Sequence, residues 1–186
     1  MNRRVAAALV HHPVHDRQRE VVTSAITNLD LHDIARSSHT YGLSDLFIVH
    51  PVAAQRLLAE RVREHWITGS GARRIPDRTP AISLLRIVPT LDDALTELGA
   101  GAELWVTSAA GSGQLLDFAA ARSQLAVEGP PVLLVFGTGW GLGDAITARA
   151  SARLCSIRGS REDGYNHLSV RAAAAIIFDR LLSIQR

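Results

Sequence analysis

The 186-residue chain contains no lysine; all 20 of its basic residues are arginine. That absence removes several chemistries at once. A Walker A phosphate loop needs its lysine, a pyridoxal-phosphate enzyme or Schiff-base aldolase needs an amine nucleophile, and a protein kinase needs its strand lysine. Cysteine is almost absent too. Cys155 stands alone, so no disulfide forms within the chain, which fits a reducing compartment. No apolar run approaches the roughly 18–20 residues required to span a bilayer. Arg3 and Arg4 precede a short apolar stretch that runs straight into His11, His12 and Pro13, which argues against a signal peptide. A soluble, cytoplasmic protein is expected. Aromatic residues make up only 5%, but 47% hydrophobic and 20% charged residues is the balance of a folded globular chain and excludes disorder. The length suits a single domain spanning 1–186. A net charge of +2 permits nucleic-acid binding without demanding it.

Apolar runs alternate with segments of helical period along the whole chain. Strands are expected at 5–10, 45–50, 83–88, 103–107, 132–136 and 153–157. Helices are expected at 31–41, 53–66, 91–98, 113–126, 142–150 and 168–184. In the first helix Asn28 or Asp30 supplies the cap. In the second, Ala54, Leu58, Val62 and Trp66 share a face. The stretches up to Asp30, from 68 to 80 and from 158 to 165 read as loops. Strands apolar on both sides, separated by helices, imply an α/β fold: a parallel sheet with helices on both faces.

The densest local signal is LLVFGTGWGLGD, Leu133 to Asp144, in which a buried strand runs into glycines 137, 139, 141 and 143. Such glycines let backbone adopt positive φ and approach a ligand closely. A side chain at Gly139 is therefore expected to intrude on a bound cofactor. The dinucleotide fingerprint G-x-G-x-x-G/A fails here. The sixth position is Leu142 counting from Gly137 and Asp144 counting from Gly139, and no acidic residue stands 20 positions on, where Ile157 lies.

Three further groups carry possible chemistry. Arg36 sits near the middle of the first helix, either as a snorkelling surface residue or as an anion-facing guanidinium. Arg61, Arg63, Arg73, Arg74 and Arg78 could form a phosphate track for RNA, or belong to an ordinary solvated surface. His11, His12, His15 and Asp16 run along a strand end with no partner set following, so no metal is expected.

Taken together these segments resemble a known class. Asn28 followed by Asp33-Ile34-Ala35-Arg36 and then Tyr41-Gly42, a strand leading into Phe136-Gly-x-Gly-x-Gly-Leu, then Ile157-x-Gly and Asn166-His-Leu-Ser-Val-x-Ala-Ala-Ala, are similar to the three motifs of the SPOUT (SpoU–TrmD) RNA methyltransferases. The likeness is greatest to the small single-domain members that use S-adenosylmethionine. It covers residues 5 to 182. The resemblance implies a C-terminal trefoil knot over about 104–186, one of the rare exceptions to unknotted topology. It also implies a homodimer with the active site near the subunit interface. Residue by residue it implies cofactor contacts at Thr107, Ser108 and Ala109, at Gly137, Gly139 and Gly141, at Ile157, and at Leu168 and Ser169. Arg36 matches the reaction-centre arginine of SpoU-type members. The chain departs from those members in two places: Gly139-Trp140 replaces a glutamate-bearing pair, and Tyr165-Asn166-His167-Leu168-Ser169 replaces Ser-Leu-Asn-Val-Ser. The acceptor can therefore be a ribose 2′-hydroxyl or a base nitrogen.

A sulfonium methyl donor is already activated, so the protein must align donor and acceptor and exclude water. Proton removal from the acceptor falls to Asp163, Glu162 or His167. The leading expectation is methyl transfer to structured RNA, tRNA or rRNA. A catalytically silent RNA-binding module and, behind it, a nucleotide-binding oxidoreductase are the alternatives.

Overall fold

The computed structural model describes residues 2–107 and 114–184. Strand β1 (Val5–Val10) is followed by a small antiparallel hairpin of β2 (Val14–His15) and β3 (Val21–Val22). Then come α1 (Asn28–Thr40), β4 (Leu46–Val49), α2 (Ala53–Ile67), α3 (Ser70–Arg74), a 3₁₀ turn over Pro76–Arg78, and α4 (Thr79–Ile82). The chain continues through β5 (Leu85–Val88), α5 (Leu91–Leu98), β6 (Glu103–Val106), α6 (Phe118–Ala126), β7 (Val132–Gly137), α7 (Asp144–Thr147), β8 (Ala152–Arg153) and α8 (Val170–Leu182). Six strands form one sheet in the order β5-β4-β1-β7-β6-β8, and every pairing in it is parallel. The expected α/β architecture is what the chain adopts.

Two apolar layers follow from the period-2 alternation of a strand. Val5, Ala7 and Leu9 of β1 pack with Leu31 and Ile34 of α1 and with Ile177 and Phe178 of α8. Ala6, Ala8 and Val10 face the other way, with Leu91, Ala94 and Leu98 of α5 and Ile146 of α7. The four small residues Ala6, Ala7 and Ala8 with Gly137 on the neighbouring strand leave room for bulky partners above and below. Trp105 and Phe136 fill part of that room on the first face.

Below the sheet's amino end, Asp45 is buried and ties Arg4 (Nη2–Oδ2 2.6 Å) to Arg86 (Nε–Oδ1 3.1 Å). Burial alone would push its carboxyl up. Hydrogen bonds from Arg4, Ser44 and Arg86 together outweigh that and hold it below the usual carboxylate range.

Several expected boundaries are corrected. The polar stretch before Asp30 contains the β2–β3 hairpin, and α1 starts at Asn28 because Thr27 is the cap, its Oγ1 accepting from the Asp30 N–H at 3.2 Å. The helix expected from 113 begins only at Phe118. Leu116 is drawn to the sheet edge instead, its N–H donating to Arg153 O at 2.7 Å, and Asp117 then caps α6. Residues 68–80 are two short helices and a 3₁₀ turn rather than a loop. The helix expected over 142–150 shrinks to Asp144–Thr147, and the strand expected over 153–157 to Ala152–Arg153. Leu58 does not share a buried face in α2; Ala59 is its fully buried residue.

Phe178 is fully buried and meets Phe136 edge to face at 5.6 Å. Phe178→Ala should cost about 3–5 kcal/mol, the range for deleting a buried phenyl ring. Urea denaturation of the two proteins checks this; a loss below about 1 kcal/mol would mean that α8 does not depend on this contact.

Candidate cofactor cavity

In open parallel sheets, ligands bind outside the carboxyl ends of strands where successive connections diverge. Here that point lies between β1, whose chain continues toward β4 and β5, and β7, whose chain continues across β6 to β8. A cavity of about 720 Å³ opens nearby. Its wall is made by Thr107 after β6, residues 136–141 at the end of β7, Cys155 and Ile157 after β8, residues 166–170 leading into α8, and Thr27 and Asp30 at the start of α1. Phe136, Ile157, Leu168, Val170 and Ile177 give it apolar surface, and exposed backbone of the glycine loop gives it polar groups. That size and mixture suit a nucleoside-sized ligand.

Thr107, Gly137, Gly139, Gly141, Ile157, Leu168, Ser169 and His167 are therefore brought together as expected. Ser108 and Ala109 lie outside the described residues. Ser169 also caps α8, its Oγ accepting from the Ala172 N–H at 3.2 Å. The strap from 155 to 169 is tied across by Asn166, whose Nδ2 donates to Ile157 O at 2.7 Å. At the strap's far end Arg171 reaches α1, with Nη1–Asp30 Oδ1 at 3.2 Å and Nε–Asp33 Oδ2 at 3.6 Å.

The glycine loop works differently from the expectation. The hairpin after β1 lies on it, backbone against backbone. His15 N–H donates to Gly141 O, Trp140 N–H to His15 O and Gly143 N–H to Pro13 O, each at 2.9 Å. A Cβ on Gly139, where φ is +58°, would stand 2.8 Å from His15 O; one on Gly137 would stand 2.7 Å from Leu142 N. A side chain at Gly139 thus meets the chain's own hairpin first.

Other candidates stand elsewhere. Arg36 is exposed on α1, six residues past Asp30, which is about 9 Å along a helix axis. It does not line the cavity. It lies on the side of α1 where His32 meets Trp66 at 5.2 Å. Burial first, then the charges of Arg78 and Arg36, lower the His32 imidazole below its ordinary value. Arg78 stacks over Trp66 at 4.6 Å, Arg63 pairs with Glu60 at 3.7 Å, and Arg61, Arg73 and Arg74 are exposed. Asp163 is not in the cavity wall. Arg161 and then the Tyr165 N–H bond its carboxyl and hold it below the carboxylate range, which weakens it as a base. Among the described residues no cluster of three or more metal-ligating side chains occurs.

Reading the sequence missed the residues that support the wall from behind. His11 is wholly buried, with Nδ1 at 3.0 Å from Ser24 Oγ, and that hydroxyl bonds Thr138 Oγ1 in the glycine loop. His50 Nε2 meets Ser24 O at 3.0 Å. Burial first, then the neighbouring His50, pushes His11 down to about 4. The run His11-His12 is visible in the sequence, but nothing there marks His11 as a buried imidazole beside His50.

The arrangement defines a class before any relative is considered: a parallel α/β domain with a nucleoside-sized cavity at the sheet's switch point, closed by a strap running into the last helix. The chain belongs to the SAM-dependent RNA methyltransferase family, whose model matches residues 4–183. It is 44% identical over 184 residues to a tRNA (guanine-N(1)-)-methyltransferase of Nitratidesulfovibrio vulgaris, covering 97% of this chain and 42% of that protein. The chain thus spans well under half the length of such curated relatives. An uncharacterized protein of Aquifex aeolicus is 33% identical over 190 residues, covering 100% of this chain and 92% of that one. The fold is shared with the SpoU methyltransferase AviRb of Streptomyces viridochromogenes, solved with AdoMet, at a TM-score of 0.59 and 15% identity over 97% of this chain and 60% of that chain. The expected kinship with S-adenosylmethionine-dependent RNA methyltransferases holds, and the fold is like that of a SpoU member.

Two predictions follow from this geometry. Gly139→Val should destabilise the fold and loosen the hairpin, seen as a lowered Tm and faster amide exchange at Val14 and His15; an unchanged Tm would contradict the backbone contact. The second concerns acid. His11 is depressed when folded and takes up its proton first in the unfolded chain, so stability should be full above about pH 6.5 and fall until about pH 4. At pH 5 the loss from His11 should be about 2 kcal/mol. Denaturant titrations at pH 7 and pH 5 read it directly, and equal stability at both would refute it.

Proposed function

We propose that the chain transfers the methyl group of S-adenosylmethionine to structured RNA, with tRNA the favoured substrate. The observation that carries this reading is the cavity itself: the glycine loop, Ile157 and the 166–169 turn converge on it in a chain of this family. The cofactor would supply an electrophilic sulfonium methyl. Backbone groups of residues 137–141 and 155–157 would hold its nucleoside, and Leu168 and Val170 would cover the apolar side. His167, which lines the cavity, is the favoured proton acceptor, since Asp163 is committed to Arg161. Ribose 2′-hydroxyl and base nitrogen are both compatible acceptors.

The reading includes a single domain whose segment 104–186 is knotted, with Thr107, Ser108 and Ala109 in the cofactor-lining turn. It also includes a homodimer. Arg36 is exposed and outside the cavity wall of its own chain, so at the edge of a second copy it would meet phosphate or developing negative charge. Arg61, Arg73, Arg74 and Arg78 extend the same side as a phosphate track, with Arg63 beside them. The tRNA (guanine-N(1)-)-methyltransferase name of the Nitratidesulfovibrio relative supports tRNA over rRNA.

Undermethylated tRNA and rRNA pools, incubated with methyl-labelled S-adenosylmethionine, test this together with calorimetric titration of S-adenosylhomocysteine and NAD. Label in tRNA and binding of S-adenosylhomocysteine alone are expected. Arg36→Ala should lower kcat by about 10²–10³ while leaving cofactor affinity unchanged. Binding without transfer to either pool would make the chain a silent module, and binding of NAD in its place would overturn the reading altogether.

A further inference from the structure

Large aromatic rings are scarce here and usually buried, as Trp105 is. Trp140 and Tyr165 break that pattern, at 56% and 61% exposed. They come from different segments, the glycine loop and the strap, yet both flank His167. The Trp140 and His167 ring centroids are 6.4 Å apart, and those of Tyr165 and His167 are 5.3 Å apart. Trp140 and His167 are also part of the cavity wall, and with Trp140 more than half exposed this aromatic cluster stands at the cavity's rim.

Each ring is held in place by backbone. Trp140 N–H donates to His15 O, which fixes the root of the indole on the hairpin. Tyr165 N–H donates to Asp163 Oδ1 at 3.0 Å, and Asp163 is in turn gripped by Arg161, with Nε at 2.9 Å from Oδ2. A positive group shares the same cavity. Arg19, at the hairpin tip, has φ +67°, the one non-glycine residue among the described residues with positive φ. Its carbonyl meets His15 Nδ1 at 3.0 Å and its Nη2 meets Asp144 Oδ1 at 3.1 Å. Bulky residues adopt that backbone conformation only where the surroundings impose it.

Rings exposed at a reaction site, beside a cation, match the way proteins hold unpaired nucleotides. Bases splayed from a loop stack on aromatic faces, and guanidinium groups meet the adjoining phosphate. Where the acceptor is a base nitrogen, a base inside a duplex cannot reach a buried methyl donor, so an unstacked nucleotide is also what that chemistry requires. We propose that Trp140, His167 and Tyr165 form a stacking platform for an unstacked RNA base at the cavity mouth, with Arg19 meeting its phosphate. This deepens the methyltransferase reading and rests on it for the cavity's role. The platform selects single-stranded loops over continuous helix.

Anisotropy of a labelled short oligouridylate, beside an abasic ribose-phosphate oligomer of equal length, tests the proposal without any methyl transfer. Trp140→Ala should weaken oligouridylate binding about 5- to 100-fold, the range for losing one base–aromatic stack. Trp140→Phe should stay within about threefold of the parent, since a phenyl face still stacks. The abasic oligomer should bind the parent and Trp140→Ala alike, and Arg19→Ala should weaken both oligomers. S-adenosylhomocysteine affinity should be the same in the parent and all variants. Unaltered oligouridylate binding by Trp140→Ala would overturn the platform. So would a parallel loss of S-adenosylhomocysteine, which would give the ring to the cofactor, or indole fluorescence that tracks protein concentration instead of RNA, which would place a second copy over it. A parent protein that binds oligouridylate but not S-adenosylhomocysteine would instead refute the methyltransferase reading and leave the platform standing.

Discussion

Everything at the site depends on two pieces of main chain touching without side chains between them. The turn after β7 and the hairpin after β1 exchange backbone hydrogen bonds through His15, Trp140, Gly141 and Gly143. That approach is possible only because positions 139 and 143 carry no Cβ; at each, one would fall within about 3 Å of hairpin backbone, while at 137 it would meet Leu142 N of the loop itself. The glycines therefore build the wall before they serve any ligand.

Electrostatics completes what the backbone contact begins. Asp144, just past the glycine loop, takes His15 and Arg19 from the hairpin, while Asp30 and Asp33 take Arg171 from α8. The two sides of the cavity are thus each clamped by an ion pair between elements far apart in sequence. Most of these pairs are partly solvated, and an exposed pair contributes at most about 1 kcal/mol, so their role is alignment more than stability. The apolar layers around β1 and β7 supply the stability.

The sheet was legible in the sequence because its strands are short apolar runs bounded by polar or glycine-rich breaks. The cavity was legible through three segments whose order matched a known class. What escaped notice has common physical causes. The β2–β3 hairpin is two residues per strand, too short for any alternation to show, and it exists because the glycine loop receives it. Helix starts were misplaced where a cap outside the expected window won, as with Thr27, or where a sheet-edge bridge captured Leu116 first. Arg36 was read from a linear motif. A motif cannot say that Arg36 stands outside the wall of its own chain's cavity. His11 and His50 carry no sequence mark of their supporting role, because burial leaves no trace on residue type.

The pairing of β1 with β7 joins segments far apart in the chain, from Val5 with Val132 to Val10 with Gly137. During synthesis β1 can align with β4 early, but its other edge has no partner until the last third of the chain has emerged. Until then a run of six apolar residues presents bare amide and carbonyl groups, the template on which strands of other molecules add. Non-local pairing of this kind also makes closure slow. Survival of the nascent chain is thus a matter of timing: the finished pocket and the hazard on the way to it come from the same central strand.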